Sequence, residues 1–573
     1  MSRTTRDPLR LRLPLRLTLA VAVAMAMTVV AGASAASSSS SSAVPKRTVH
    51  GECAVNYHGA CKCTVDECDA PEPLGTLAAN DIAIYSTTLS GDRLKRTVKK
   101  FDATATTSST VKIGYDTPLQ SIVGVGTAFT DAMAVNVGAM TADIQELILE
   151  NYYGATGLGY ALGRIPIASC DFSTHMYSYN DLYGDYQMTN FSVDVDVASG
   201  KIGMIQKALS LRQEALQAGL FSAPLGPIDD AALGPVGVLT NNHSMVLFAS
   251  SWSPPAWLKT TQSRVKGSLN GTAGDAVHKA YALYLSKFLD AYAAHGIEVA
   301  YLSMQNEPSM SVRWDSCFFS PVTERDFIKT DLGPLMRQNH PDVGLIMLDD
   351  QRLEMDIWLD IVLSDADAAQ YVNVTGMHWY SSANDVLDEF QYLRYAHDKY
   401  PNMLLLATEA CAGEEVIDRG VVFGSWYRGI TYFKDISGDF NNWAIGWTDW
   451  PGVVDLQGGP NHAGNWVDSA IVANTTAGTE FYKNPMFYAL GHFSLFAPAN
   501  SSRLEVTVQY GPDQPNTLKL EITAFLRPDG LVSVMIGNTD EIHPRAISIA
   551  HPTQGYINLV VPNASMQTLV FKL

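Results

Sequence analysis

The chain has 573 residues, of which 47% are hydrophobic and 17% are charged. This length exceeds the usual size of one domain and the composition supports a sizeable core, so we expect two folded domains and exclude a disordered chain. The formal net charge of −19 disfavours nucleic acid as a partner, because binding to a phosphate backbone requires basic stripes.

Residues 1–35 have the features of a secretory signal peptide. Five arginines precede an almost wholly apolar run at 17–31, and Ala33, Ser34 and Ala35 form a small-residue cleavage site. An uncleaved anchor is the alternative, because the apolar run approaches the length that spans a bilayer. The cleavage site favours removal of the segment, so we predict entry into the secretory pathway, with the lysosome or the extracellular space as the destination.

Four cysteines lie close together just after a serine tract at 37–42. In an oxidising compartment they predict two disulfides within a small N-terminal segment, formed among Cys53, Cys61, Cys63 and Cys68. A zinc knuckle is the alternative, but the spacing lacks a paired Cys-x-x-Cys. Acceptor sites for N-glycosylation fit the same route, at Asn190, Asn242, Asn270, Asn373, Asn474, Asn500 and Asn563.

Short apolar runs alternate with helix-like stretches from about residue 120 to 490. The runs end in polar or aromatic residues at 124–126, 164–166, 251–254, 306–307, 349–350, 378–380, 409 and 447–450. This alternation predicts an α/β fold, a (β/α)8 TIM barrel with eight parallel strands. A doubly wound open sheet would give the same alternation, but the chain has no Gly-x-Gly-x-x-Gly phosphate turn to support it.

Two stretches inside the barrel region differ in character. Residues 277–295 carry apolar side chains at three- and four-residue steps, which predicts an amphipathic helix. Residues 219–243 are rich in Gly, Pro and Ala without periodicity, which is typical of a surface insertion.

The chain becomes β-rich from about residue 495. Short runs such as 503–509, 518–525 and 531–536 are separated by turn signals, and they predict an accessory all-β sandwich. We therefore divide the mature chain into three parts. These are a linker with the cysteine-rich segment and strands that pack with the β domain (36–119), the catalytic barrel (120–494) and the C-terminal sandwich (495–573).

Two glutamates each follow an apolar run of the predicted barrel, Glu307 and Glu409. A parallel barrel builds its active site from side chains at the C-terminal ends of its strands. Two such carboxylates can flank one glycosidic bond, one as the acid and the other as the nucleophile. The alternative is that both glutamates cap strands or pair with arginines. The Asn-Glu-Pro sequence at 306–308 and the presence of the second glutamate favour the catalytic interpretation.

Longer motifs accompany the two glutamates in a specific order. They include Arg-Ile-Pro-Ile-Ala-Ser-Cys-Asp-Phe-Ser at 164–173, Ser-Trp-Ser-Pro-Pro-Ala-Trp-Leu-Lys at 251–259, Met-Leu-Asp-Asp-Gln-Arg at 347–352, Gly-Trp-Thr-Asp-Trp at 446–450 and Phe-Tyr-Ala-Leu-Gly-His-Phe at 487–493. With these motifs the chain resembles glycoside hydrolase family 30, from Cys53 through Phe571. The resemblance is weakest at the 219–243 insertion and in the loop after Glu307.

The resemblance implies a retaining β-glucosidase that hydrolyses glucosylceramide through a covalent glucosyl-enzyme. Glu307 would be the acid/base and Glu409 the nucleophile, at a separation of roughly 5–5.5 Å. Arg164 would hold the nucleophile ionised and Tyr380 would donate a hydrogen bond to it. The substrate-binding positions of the family match Asp171, Trp252, Asn306, Trp450 and Asn465.

The same resemblance also has implications for cofactors, for the cysteine near Glu409 and for partners. No metal or organic cofactor is implied, because two carboxylates and water suffice for this hydrolysis. Cys411 lies two residues after Glu409, and we interpret it as a buried packing residue because no basic partner is evident beside it. Peripheral contact with a lipid surface and an activator protein are compatible with the substrate.

Two alternative functions follow from the same residues. One is a secreted family 30 glycanase that cleaves β-linked glucan or xylan. The other is a sugar-binding protein without activity, which the presence of both carboxylates and the whole sugar-binding set disfavours.

Overall fold

The computed structural model describes residues 45–221, 244–382, 388–414, 418–512 and 520–573. The predicted signal peptide, the serine tract, Asn242 and most of the 219–243 insertion lie outside these described residues. Among the helices that are described, none has the length and apolar character that crossing a membrane requires.

Short strands precede the barrel region and are distributed over several sheets. They are β1 (Arg47–Val49), β2 (Gly51–Glu52), β3 (Val55–Tyr57), β4 (Ala60–Thr64), β5 (Glu67–Asp69), β6 (Asp81–Thr88), β7 (Asp92–Arg93), β8 (Lys95–Lys100) and β9 (Thr110–Ile113). Two disulfides staple this part of the chain, joining Cys53 to Cys61 and Cys63 to Cys68.

Eight parallel strands then close into a barrel, which confirms the predicted fold class. They are β10 (Gly124–Ala128), β11 (Leu162–Ile167), β12 (Val246–Ser251), β13 (Tyr301–Ser303), β14 (Gly344–Gln351), β15 (Val372–His378), β16 (Leu404–Glu409) and β17 (Ala444–Asp449). Pairing of β10 with β17 closes the ring, with Gly124 opposite Gly446. The predicted strand ends fall at the C-terminal ends of these strands or within a few residues of them.

Helices connect the barrel strands or, in the case of α12, follow the last of them, and they cover the outside of the ring. They are α1 (Asp131–Gly138), α2 (Ala142–Tyr153), α3 (Asp194–Ala198), α4 (Lys201–Gln217), α5 (Ala276–Ala294), α6 (Pro321–Phe327), α7 (Gly333–Asn339), α8 (Met355–Leu363), α9 (Ala366–Ala369), α10 (Phe390–Lys399), α11 (Trp426–Asn441) and α12 (Pro485–Ser494). The predicted helix at 277–295 is α5. It begins at the cap residue Asp275, whose side chain accepts hydrogen bonds from the backbone of Val277 and His278.

Branched and aromatic side chains fill the interior of the barrel. Those that form one contiguous buried cluster are Val123, Leu162, Val246, Phe248, Tyr301, Ile346, Val374, Leu404, Leu406 and Ile445. A barrel of this size encloses a packed core and not a pore, so the ligand site must lie at one end of the ring.

The close contact between β10 and β11 depends on a glycine. A Cβ atom added at Gly126 would lie 2.0 Å from the carbonyl oxygen of Leu162, which is backbone of the neighbouring strand. We expect Gly126→Ala to destabilise the protein by about 3 kcal/mol, measured as a lower midpoint of thermal unfolding. Gly138→Ala is the matched control, because apart from its chain neighbours and the backbone of its own helix no atom lies within 4 Å of its added Cβ. An equal midpoint for both variants would contradict this explanation.

The chain after the barrel forms three further strands, which lie in one sheet with two strands of the cysteine-rich segment. These are β18 (Val453–Asp455), β19 (Ile471–Ala473) and β20 (Glu480–Lys483). The sheet order is β18-β19-β20-β4-β3, so β4, which contains Cys61 and Cys63, pairs antiparallel with β20. The disulfide-stapled segment is therefore anchored beside the loop that follows the last barrel strand.

The C-terminal strands form the predicted sandwich. They are β21 (Ser502–Leu504), β22 (Val506–Gln509), β23 (Glu521–Leu526), β24 (Leu531–Asn538), β25 (Arg545–His551), β26 (Gly555–Val561) and β27 (Ser565–Lys572). One sheet has the order β21-β23-β24-β27-β6-β8 and the other the order β22-β9-β25-β26. The predicted strand at 503–509 is divided at Glu505, where the chain passes from one sheet to the other.

Candidate active site

Polar side chains converge at the C-terminal end of the barrel. Glu409 is the last residue of β16, and Glu307 lies four residues beyond the end of β13. Carboxylate oxygens of Glu307 and Glu409 and a ring nitrogen of His378 all lie within 4.8 Å of one another. The two glutamates predicted from the sequence therefore meet at one point.

An irregularity in β14 shapes the floor of this site. The strand pairing with β15 shifts register between Leu348 and Asp350, and both Leu348 and Asp349 have positive φ angles of 67° and 55°. A bulge of this kind redirects the side chains that follow it and is frequent beside active sites. Glu307 also has a positive φ of 45°, and its backbone nitrogen donates to the Asp349 carbonyl at 2.9 Å.

Arg164 of β11 is the central cation of the site and is completely buried. Its guanidinium binds Glu409 through one nitrogen, and through another it donates to Asn306 Oδ1 at 2.7 Å and to Asp349 at 3.1–3.2 Å. The remaining nitrogen donates to Ser250 Oγ at 3.1 Å. A planar guanidinium that is engaged on every side fixes the orientation of the groups around it.

Glu409 is held at both carboxylate oxygens. Its Oε2 binds Arg164, and its Oε1 accepts a hydrogen bond of 2.9 Å from the Tyr380 hydroxyl. Burial raises the pKa of Glu409, and the charges of His378 and Arg164 oppose that rise. The side chain is 8% exposed, so it faces the mouth of the barrel. Its contacts with Arg164 and Tyr380 hold it in place.

Glu307 is bound on one oxygen by two donors. Its Oε1 lies 3.0 Å from Gln351 Nε2 and 3.2 Å from His378 Nδ1. Gln351 also links outward, because its Oε1 accepts a hydrogen bond of 3.1 Å from the backbone nitrogen of Ser381. The Glu307 side chain is 13% exposed, more than that of Glu409.

His378 lies between two carboxylates and is fully buried. Its Nδ1 faces Glu307 and its Nε2 lies 3.1 Å from Asp349 Oδ1. Burial lowers the pKa of His378, but the charge of Glu409 and the hydrogen bonds to Asp349 and Glu307 outweigh that effect and raise it to about 10. The ring is therefore a protonated imidazolium at neutral pH.

Glu307, His378 and Glu409 together have the spacing of a set that could bind a metal ion. A histidine binds a metal through the lone pair of a neutral ring. His378 has both nitrogens facing carboxylates and a pKa raised to about 10. The chemistry of this set therefore fits a buried imidazolium cation between carboxylates better than a metal centre.

A further carboxylate of the site, Asp171, lies in the loop after β11 and contacts two amides. Its Oδ2 accepts hydrogen bonds of 3.2 Å from Asn461 Nδ2 and 3.1 Å from Asn465 Nδ2. Burial raises the pKa of Asp171 to about 7, against the effect of these two hydrogen bonds. The structure thus brings Asp171 and Asn465 together, and it adds Asn461 to them.

The two tryptophans predicted to bind a sugar follow directly after barrel strands. Trp252 comes after β12 and Trp450 after β17, and their rings stack with centroids 5.0 Å apart and planes at 20°. The Arg164 guanidinium lies 4.8 Å from the Trp252 centroid and 5.6 Å from that of Trp450. Both rings are therefore immobilised beside the carboxylates.

Cys411 lies next to the pair but is unsuited to act as a nucleophile. Its Sγ is 3.3 Å from the Tyr380 hydroxyl. Burial raises the pKa of this thiol well above its ordinary value, so the reactive thiolate is not formed at neutral pH.

Sequence reasoning alone assigned no role to several residues of this site. His378, Asp349 and Gln351 hold Glu307 and Arg164, and Asn461 shares Asp171 with Asn465. The sequence motifs could have indicated most of these residues. Asp349 and Gln351 lie within the motif at 347–352, and His378 lies two residues before Tyr380. Their contacts depend on the bulge in β14 and on chain segments far apart in sequence.

Comparison with known proteins identifies the family. The family model described as the glycosyl hydrolase family 30 TIM-barrel domain matches residues 122–228 and 237–497, and that described as the family 30 beta sandwich domain matches residues 500–569. Together the two models cover most of the chain.

Individual proteins give the same result. The chain is 36% identical to the lysosomal acid glucosylceramidase of Mus musculus over an alignment of 524 residues, which covers 89% of this chain and 93% of the relative. It is 34% identical to putative glucosylceramidase 4 of Caenorhabditis elegans, over 90% of this chain and 94% of the relative. The crystal structure of SrfJ from Salmonella typhimurium is also similar, with 26% identity, a TM-score of 0.73 and coverage of 86% of this chain and 100% of that one. This chain belongs to glycosyl hydrolase family 30.

Proposed function

We propose that this enzyme is a retaining β-glucosidase that hydrolyses glucosylceramide to glucose and ceramide by double displacement. The observation that carries the proposal is the approach of Glu307 and Glu409, whose nearest oxygens lie within 4.8 Å. Retaining enzymes place their carboxyl groups roughly 5–5.5 Å apart, whereas inverting enzymes need roughly 6.5–9.5 Å to admit a water molecule.

Glu409 is the nucleophile in this mechanism. Its oxygen attacks the anomeric carbon and forms a glucosyl ester, while the bond from that carbon to the ceramide oxygen breaks. Arg164 and Tyr380 hold the carboxylate in place before the attack. The buried positive charges of Arg164 and His378 also favour the ionised form that the attack requires.

Glu307 is the acid in the first step and the base in the second. Its Oε1 is engaged by Gln351 and His378, so the transferable proton is carried on Oε2. That proton passes to the ceramide oxygen as the glycosidic bond breaks. Glu307 then removes a proton from water, whose oxygen attacks the anomeric carbon, releases glucose and frees the Glu409 carboxylate.

Five side chains recognise the glucose in this proposal. A sugar presents an apolar C–H face and a polar hydroxyl rim, which suit aromatic rings and hydrogen-bonding groups respectively. The residues are Asp171, Trp252, Asn306, Trp450 and Asn465. Asn306 gives its Oδ1 to Arg164, so its Nδ2 is the end that binds the sugar 2-hydroxyl.

The choice of a lipid glycoside is supported by the surface around the barrel mouth. Loops after β11 and β13 expose Met176, Leu182, Tyr183, Met310 and Phe318, with Tyr183 74% exposed. Exposed apolar groups of this kind can contact a lipid surface. The full chain has a pI of about 5.0, so its net negative charge falls as the pH becomes acidic, and repulsion from an anionic lipid surface weakens.

We place the enzyme in the secretory pathway, with the lysosome or the extracellular space as its destination. Two disulfides support this, because such bonds persist in oxidising compartments. An activator protein that presents the lipid is compatible with the exposed apolar loops.

Comparison of released products tests the substrate. We expect the enzyme to release glucose and ceramide from glucosylceramide in mixed micelles, and to release little sugar from β-1,6-glucan, β-1,3-glucan or xylan at equal mass. Chromatography of the sugars and mass spectrometry of the lipid measure both products. Oligosaccharides from a polymer, without ceramide from the lipid, would favour the alternative of a family 30 glycanase.

A further inference from the structure

A buried carboxylate outside the catalytic pair, Asp315, joins several loops at the barrel mouth. Its side chain is 0% exposed. Its Oδ1 accepts hydrogen bonds of 2.7 Å from Arg264 Nε and 2.8 Å from Ser169 Oγ. Its Oδ2 lies 3.1 Å from His462 Nε2. Ser169 follows β11, Arg264 follows β12, Asp315 follows β13 and His462 follows β18. One carboxylate therefore connects four separate loops.

Asp315, Ser169, Arg264 and His462 form the Asp315 cluster. Within this cluster Arg264 is held by several backbone and side-chain contacts. Val265 and Asp315 form an isolated β-bridge, and the backbone nitrogen of Ser316 donates to the Arg264 carbonyl at 3.0 Å. Lys259 Nζ donates to the same carbonyl at 2.9 Å. His462 is held by fewer contacts, and its side chain is 13% exposed. We therefore expect His462 to move more readily than Arg264 relative to Asp315.

The turn that carries His462 also carries two amides of the proposed glucose site. Asn461 and Asn465 both donate to Asp171 Oδ2, and the backbone nitrogen of His462 donates to the Asp171 carbonyl at 3.1 Å. Asn461 Oδ1 closes the turn, since it accepts from the backbone nitrogens of Ala463 at 2.9 Å and Asn465 at 3.1 Å. The position of the His462 ring is thus coupled to the position of both amides.

The charges around His462 favour its protonated form. Burial opposes ionisation of Asp315, but the Arg264 charge and the hydrogen bonds from His462 and Ser169 hold its pKa below the ordinary value. The hydrogen bond to Asp315 raises the pKa of His462, burial opposes this, and the charges of Asp315 and Asp171 add to the rise. Arg313, which donates to the Gly464 carbonyl at 3.5 Å, is a cation near the same turn.

We propose that His462 is a pH-dependent positioning residue for glucose binding. In its protonated form it ties its turn to Asp315 and thereby holds both asparagine amides on Asp171. The inference rests on the proposed roles of Asp171 and Asn465 in sugar recognition. A group whose pKa is raised in the folded state stabilises the structure below that pKa and loses the effect as the pH rises through it. Asp171 also titrates in this range, because its pKa is raised to about 7. The effect of His462 is therefore read as the ratio of the KM of a His462 variant to that of the wild type, and this ratio should be larger at acidic pH.

Steady-state kinetics of three proteins test this proposal from pH 4 to pH 8, with an aryl β-glucoside as substrate. His462→Gln keeps a neutral donor for Asp315 but cannot carry the charge. His175→Gln is the matched control, because His175 is an exposed histidine of the β11 loop that contacts Thr174. A charge-assisted hydrogen bond is about twice as strong as a neutral one. We expect the KM of His462→Gln to exceed that of the wild type about fivefold at pH 4 and to equal it at pH 8.

The kcat of His462→Gln should stay within about twofold of the wild type, because the catalytic glutamates are untouched. His175→Gln should match the wild type at every pH. A KM ratio that does not change with pH, or a change confined to kcat, would overturn the role of His462.

Thermal unfolding separates this proposal from the proposed function. Absence of turnover by the wild type and by His175→Gln would refute the function, yet the tie to Asp315 could still be measured. The melting temperature of the wild type should exceed that of His462→Gln by more at pH 5 than at pH 8. Equal differences at both values of pH would overturn the proposal by themselves.

Discussion

Glu409→Gln should remove nearly all activity, with kcat lowered on the order of 10⁴-fold or more, the scale seen when a covalent nucleophile is lost. The amide cannot attack the anomeric carbon, so no glucosyl ester forms. The neutral side chain also leaves Arg164 without one of its two anionic partners in the buried site. Hydrolysis of an aryl β-glucoside measures the loss of turnover.

Covalent labelling identifies the attacked residue directly. Wild-type enzyme treated with a cyclophellitol-type glucose mimic should gain one label, located by peptide mass spectrometry on Glu409, and the variant should gain none. Glu150→Gln is the matched control. Glu150 is a buried glutamate of α2 whose carboxylate accepts from the backbone and hydroxyl of Thr156 at 2.9 Å, outside the site. This control should retain wild-type kcat, and a label on any residue other than Glu409 would refute the assignment.

Glu307→Gln should separate substrates by their need for an acid. Ceramide leaves as an alkoxide unless it is protonated, so the kcat/KM for glucosylceramide should fall by about 10²–10⁴-fold. An aryl glucoside with an acidic phenol needs no proton, so its kcat/KM should fall by less than about tenfold. Parallel assays of the two substrates give the comparison, and equal losses would contradict the acid role.

The same variant tests the base role in the second step. Without Glu307 as base, water reacts slowly and the glucosyl-enzyme should accumulate, seen as a burst of phenol. Azide needs no base, so it should restore turnover of the activated substrate and yield β-glucosyl azide. The Glu150→Gln control should show neither the burst nor the azide effect. An α-configured azide would contradict retention.

The barrel was predictable from local patterns. Most barrel strands are short apolar runs that end in polar or aromatic residues, and this pattern reflects burial of the strand and exposure of its C-terminal end. Glu409 is the clearest case, because it ends the run Leu-Leu-Leu-Ala-Thr-Glu that forms β16. The helix α5 was equally visible, since its apolar positions follow the helical period.

Other features of the fold depend on pairing between distant segments. The run at 503–509 has the pattern of one strand, but the structure divides it between two sheets because β21 pairs with β23 and β22 pairs with β9. The pairing of β4 with β20 joins residues about 420 positions apart. Nothing in the local sequence of either strand identifies its partner.

The amino-acid sequence by itself determined the fold class, the two catalytic candidates and the residues of the family motifs, because these depend on the order and local pattern of residue types. The tertiary structure decided which side chains act on those candidates. The bulge in β14 directs Asp349 toward Arg164 and His378, and the turn after β18 brings Asn461 and His462 to Asp171 and Asp315. These contacts join separate strands and loops of the closed barrel, so they exist only once the whole ring has formed.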